Sequence, residues 1–258
     1  MSAALARRCA AWLACMLLAA VAGTARAADD RRAGDGMRLT ALAERVAKLH
    51  AQAAHGVMVE RSRRGLVEAV RDFDALLRAS GRAAAPETRE SYLLLGLLWE
   101  EYRVVALRPP TREGVRRLAD RTDEVAWVAS KVAVASQPAL GPIAAKAARV
   151  CVLSQRVPRL ILTRRWDPRN AELAREAGTA AEELAGTLED LLSAAQNFPD
   201  LVSQVQVART QHGFLTSAAA EIERTGAGVK ALENIAKTGD NILEAMQRVT
   251  RQYEELGL

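Results

Sequence analysis

The residues best suited to chemistry in this chain are four arginines in two matched pairs. Arg38 and Arg45 stand seven apart, and so do Arg149 and Arg156. Each pair borders an apolar helical stripe. An arginine so placed lays its stem on the core edge and pairs with a carboxylate of a neighbouring helix. Its alternative use is to grip a small planar anion, which the guanidinium fork fits well. The remaining candidates are weaker. His50 and His55 are five apart and off a common helical face, and His212 stands alone. The acid pairs Asp72/Asp74 and Glu182/Glu183 point apart on a helix and read as surface charge. Gly34-Asp-Gly36 and Gly226-Ala-Gly228 precede helices without a strand before them, which a phosphate loop requires. Neither a catalytic constellation nor a cofactor or metal site is expected.

The arginines belong to a longer repeat. Arg38-Leu-Thr-Ala-Leu-Ala-Glu-Arg45-Val-Ala-Lys-Leu49 aligns with Arg149-Val-Cys-Val-Leu-Ser-Gln-Arg156-Val-Pro-Arg-Leu160, about 111 residues later. Asp74-Ala-Leu-Leu77 then meets Glu189-Asp-Leu-Leu192, and Arg121-Thr-Asp-Glu-Val125 meets Lys237-Thr-Gly-Asp-Asn241, at offsets drifting to about 116. Three segments matching in order indicate one module used twice.

Scarce aromatics, abundant Ala and Leu and no period-two alternation make every part of the module helical. Helices are expected near 37–55, 61–80, 86–107 and 111–136, then near 142–165, 168–195, 199–223 and 226–256. Pro86 and Pro199 can open helices, and Asp167 before Pro168 reads as an N-cap followed by the first helical residue. Pro109-Pro110 ends a helix. Pro158 falls inside one, where it predicts a kink. The expected fold is all-α, two tandem four-helix bundles running up-down-up-down, over residues 34–136 and 142–258. Ser136 to Pro142 is their short joint.

On the first helix, Leu39, Leu42, Val46, Leu49 and Ala53 form the core stripe. On the opposite side Thr40, Ala43, Ala47, Ala51 and Ala54 make a second seam of small residues; Cys151, Ser154, Pro158, Leu162 and Arg165 are their counterparts. The seam predicts close approach of another helix, with Ala41 outside it. The plainer alternative is an exposed face rich in a good helix former.

Residues 1–27 read as a secretory signal. Arg7-Arg8 precede an apolar stretch from Cys9 to Gly23, and Ala25-Arg26-Ala27 offers a cleavage site. A retained membrane anchor is the alternative, although the stretch is short for a span. Trp12 makes a poor lipobox around Cys15. Removing three of the 36 basic residues and none of the 31 acidic ones leaves a net charge of +2. That balance gives little reason to invoke nucleic acid or anionic lipid. Cys151 is the one thiol beyond the leader, too few for a disulfide framework or a cysteine zinc site. The longest later apolar run, Tyr92 to Trp99, cannot span a bilayer. A periplasmic, non-membrane-spanning product is expected.

The repeated motif resembles the Arg-x-Arg-Met-Leu-Ser-Gln-Arg signature of the PilJ-type domain, the sensor module of type IV pilus chemotaxis transducers, related to the sensors of nitrate/nitrite kinases. Leu153-Ser-Gln-Arg156 reproduces its end and Leu42-Ala-Glu-Arg45 is a weaker copy. The stretch Ile235 to Glu254 is similar to the closing helix of such modules, and Trp99 with Tyr102 resembles their aromatic pair. The resemblance implies a four-helix sensor that dimerises through its first helix and takes a ligand at that seam. Arg38, Thr40, Arg149, Cys151 and Gln155 are the ligand-binding positions it suggests. The nitrate-binding arginine of the relatives corresponds to Thr40 and Cys151, so nitrate binding does not carry over directly. Tandem copies could build the family's dimer within one chain; a homodimer is the other arrangement. The functional expectation is a non-catalytic sensor-type protein binding a small ligand, a nitrate-like anion among the options. The rival is an interaction module docking on a membrane receptor or pilus-associated protein.

Overall fold

The computed structural model describes residues 34–135, 140–195, 198–226, 228–256 and 258. The expected leader, most of the joint and Ser136 lie outside these residues. All regular structure among them is α-helical, and no strand occurs. In chain order the helices are α1 (34–54), α2 (Val59–Arg82), α3 (Pro86–Ala106) and α4 (Arg112–Ala135). They continue as α5 (Pro142–Arg164), α6 (Ala171–Ala195), α7 (Pro199–Thr225) and α8 (Val229–Leu256). Among the described residues no helix is long and apolar enough to cross a membrane.

Local chemistry explains most boundaries. Pro86, Pro142 and Pro199 each sit at a helix start, where the missing N–H costs nothing. Thr111 receives the N–H of Gly114 at 3.0 Å and caps α4. Two expectations are corrected. The α6 helix begins at Ala171, not Pro168, because Asn170 supplies the cap: its Oδ1 accepts the Leu173 N–H at 3.0 Å. Asp167 instead closes the turn before it, its carbonyl accepting the Asn170 N–H at 3.1 Å. Gly226 ends α7 instead of opening α8. It adopts φ 64°, the left-handed geometry that glycine supplies at a helix end without strain.

Among the described residues, three apolar clusters form the interior. One gathers Leu39, Val46, Leu66, Phe73, Leu95, Trp99, Leu118 and Val128 from α1 to α4. Another gathers Leu153, Leu160, Leu184, Leu191, Val205, Ile242 and Val249 from α5 to α8. The third joins them, with Ala51, Val57 and Val115 against Leu162, Leu232 and Ala236. The first helix is thereby enclosed on two sides. Thr40, Ala43, Ala47 and Ala51 are all buried, so the small-residue face is an interior seam, not an exposed alanine surface. Ala41 was expected outside that seam and is buried too, since α8 and α5 close over that side of α1.

Pro158 lies within α5, which runs unbroken through it. Its accommodation comes from α8. A Cβ on Gly239 would lie 2.6 Å from the Ser154 carbonyl oxygen and 2.7 Å from Pro158 Cγ. The absence of a side chain at 239 lets α8 lie directly on the proline-containing turn.

Candidate functional site

The helices α1 and α5 run side by side in the register of the repeat. Ala51 shares a cluster with Leu162, and the ring of His55 stacks on Trp166 with centroids 3.7 Å apart. Both pairs are 111 residues apart in the chain. His55 Nε2 also lies 2.8 Å from the Leu162 carbonyl oxygen. Positions 111 apart just beyond the two motifs therefore lie close together.

Charge crosses this contact in a paired way. Lys48 and Arg159 are also 111 apart and both are fully buried. Lys48 on α1 donates from Nζ to Asp240 on α8. Arg159 on α5 donates to Asp123 on α4 at 3.0 Å and to Glu44 on α1 at 2.5 Å. A cation on each motif helix thus reaches the last helix of the other half. Burial pushes the Glu44 carboxyl up, against the pull of Arg159 and Arg156. Burial likewise lowers Lys48, with Asp240 opposing it. Desolvation would raise Asp240, but the Lys48 ammonium, with Arg45 and Arg61 adding to it, holds the carboxyl below its ordinary value. Single replacements in such pairs strand a buried charge and are costly.

Beside these pairs a cleft of about 380 Å³ opens between α1, α5 and α8. Ala41, Ala148, Cys151 and Leu243 are among its apolar walls, and α2 adds Leu76; its polar walls carry Arg38, Arg45 and Arg251 together with the acids Asp72 and Glu254. Arg38 is largely neutralised, donating to both Glu254 oxygens at 2.7 and 3.1 Å. Arg45 is different. Its Nε is buried without a hydrogen-bond partner, and among the described residues the side chain has no carboxylate within ion-pair distance. It also borders an adjoining hollow of about 430 Å³ lined by Arg61 and Arg64 and by the carboxylates of Glu68, Asp240 and Glu244. Arg45 thus stands between the two hollows, without a direct ion pair but with its charge felt by the Asp240 carboxylate. Cys151 contributes no reactive thiol: burial lifts its pKa to about 12, and its sulfur sits 3.9 Å from Thr250 Oγ1.

The positions suggested by the motif separate. Arg38 and Cys151 line the cleft together. Thr40 is spent on its own helix, its hydroxyl donating to the Gly36 carbonyl at 2.9 Å. Arg149 faces α6 and grips Glu183 at 2.6 and 2.8 Å, outside the cleft. Gln155 is buried and donates to the Gly239 carbonyl at 3.1 Å, with its own Oε1 lacking a partner among the described residues. Sequence reasoning singled out neither Glu44 nor the cations Lys48 and Arg159. The signal was present, since Lys48 aligns with Arg159 and both flank the small-residue seam.

A second cleft of about 630 Å³ lies between α4 and the turn joining α5 to α6, with Asp120, Glu172, Glu176 and Trp166 in its walls. Among the described residues no cluster of three or more His, Cys, Asp or Glu side chains is arranged to hold a metal. Comparison of the chain with family models, with curated proteins and with solved structures finds no match.

Proposed function

We propose that the chain is an exported, non-catalytic sensor-type protein built from two tandem PilJ-type four-helix units, and that it binds a small anion where the units meet. In this reading the two motif helices reproduce inside one chain the contact that relatives of this type make between subunits. The facing of positions 111 apart supports that arrangement. The observation that carries the ligand is Arg45, unpaired and partly buried at the wall of a cleft that also exposes Arg251 and Gln247. A partly buried guanidinium without a direct ion pair gains from an anion with two acceptor oxygens. The signal peptide and a periplasmic location belong to the same proposal.

A thermal-shift series with nitrate, nitrite, acetate and succinate, each against chloride at equal ionic strength, tests it. Stabilisation grows as RT ln(1 + [L]/Kd), about 2.7 kcal/mol at a hundredfold excess over Kd. The bound anion should raise the melting temperature of the wild type and leave Arg45→Ala unmoved. Absence of any shift across the series refutes the ligand, and a shift retained in Arg45→Ala refutes the site.

A further inference from the structure

The third helix carries two apolar stripes, and among the described residues only one of them has a partner. Its inner stripe, Tyr92, Leu95, Trp99, Tyr102 and Ala106, is buried. On the outer side Leu93, Leu97, Val104 and Leu107 are exposed by 66%, 70%, 52% and 51%. At 100° per residue Leu93, Leu97 and Val104 fall within an arc of about 40°, roughly opposite the inner stripe. Scattered surface leucines need no explanation, but a continuous stripe does.

The spacing of the stripe identifies what it fits. Positions 93, 97, 100, 104 and 107 alternate steps of four and three, the heptad pattern with which one helix seats against another. Four of the five are apolar. The fifth, Glu100, is already neutralised by Arg103 at 2.6 Å. Among the described residues the flanking charges Glu87 and Arg108 have no ion-pair partner, and they lie at opposite ends of the stripe. That arrangement is self-complementary in one direction only. Laid antiparallel on a second α3, with Leu93 opposite Val104, the stripe brings Glu87 beside the other copy's Arg108 at both ends. A parallel pairing sets Arg103 near Arg108 of the other copy. Sliding the antiparallel pair so that Leu97 meets Leu107 sets Glu101 against itself. Like charges so placed are unfavourable.

We infer that the outer face of α3 is a homodimer surface, on which two copies of this chain pair antiparallel about a two-fold axis through the middle of the stripe. The contact is isologous, so every pairing occurs twice. It is separate from the α1–α5 contact, which is buried inside each chain. One helix face is a small interface, which places it among weak, concentration-dependent dimers.

Sedimentation equilibrium of the full chain, from micromolar to several hundred micromolar, tests the proposal. The wild type should pass reversibly from monomer to dimer, and Leu97→Lys should remain monomeric. Because Leu97 is exposed, far-UV circular dichroism of that variant should match the wild type. Glu87→Arg and Arg108→Glu should each weaken dimerisation several-fold, while the double variant recovers it. A wild type monomeric throughout overturns the inference, as does a dimer that survives Leu97→Lys. Failure of the double charge reversal to recover association also overturns it, because the antiparallel register is then wrong.

Discussion

Replacing Gly239 with alanine sets two effects of opposite sign against each other, and the structure decides which wins. Gly239 is in the middle of α8, where alanine is favoured by about 1 kcal/mol on intrinsic helix propensity. The added Cβ would stand 2.6 Å from the Ser154 carbonyl oxygen and 2.7 Å from Pro158 Cγ. One obstacle is backbone and the other a closed ring, so neither can rotate away; α5 and α8 must move apart. Overfilling of this kind costs about 1–3 kcal/mol, and the rigidity of both neighbours argues for the upper end. The parting would also loosen the bond from Gln155 Nε2 to the Gly239 carbonyl. A net loss of about 1–2 kcal/mol is expected. For a chain of this size it lowers the melting temperature by about 2–8 °C. Gly178→Ala and Gly213→Ala are internal controls, since a Cβ at either meets nothing within 4 Å. Each should hold or raise the melting temperature in the same calorimetric experiment. If Gly239→Ala is as stable as those two, α5 and α8 are not in the close contact argued here.

Other expectations follow from burial. All three histidines have pKa values pushed below the ordinary 6.5, chiefly by desolvation. The unfolded chain therefore takes up more protons, so their share of stability is complete above about pH 6.5 and is lost as pH falls through the lower folded values. Denaturant melts between pH 7.5 and 5 should show this decline, reduced in His50→Gln; a flat profile refutes it. The Cys151 thiol, with its pKa near 12, should not react with a disulfide reagent at pH 8 until the protein is unfolded. A thiol titrated within minutes in the native state would contradict its burial. Ala47→Trp should overfill the seam and cost about 1–3 kcal/mol, read as a drop in denaturation midpoint.

Where the sequence was informative, the reason was local. Pro86, Pro142 and Pro199 mark helix starts through covalent geometry, so those boundaries could be placed without tertiary knowledge. The start of α6 was misplaced because Asp167 and Asn170 are both good caps, and only the fold decides that Asn170 takes the Leu173 N–H. Arg38 and Cys151 line one cleft although the helical wheel sets Arg38 on the other side of its helix from Thr40, the position matched by Cys151, because α8 brings Glu254 and Thr250 alongside both. Glu44 and Lys48 show what stays hidden. They stand four apart, the spacing of an ordinary exposed ion pair on a helix. Neither pairs with the other: Glu44 meets Arg159, 115 residues away, and Lys48 meets Asp240, 192 away. A charge spaced for the surface reads as solvated until the second face of its helix is known to be covered. Enclosure of α1 by α5 and α8 is such a long-range fact, and the pairing of Lys48 with Arg159 across the repeat is its one trace in the sequence. That trace has a consequence. Since both cations hold a last helix of the opposite half, Lys48→Met should deprive Asp240 of its ammonium, and Arg159→Met should strand Glu44 as well as release Asp123. If the two halves are pseudo-equivalent, the two variants should lose stability together and the double variant should be non-additive; independent, additive losses would mean that the halves are held by unrelated contacts.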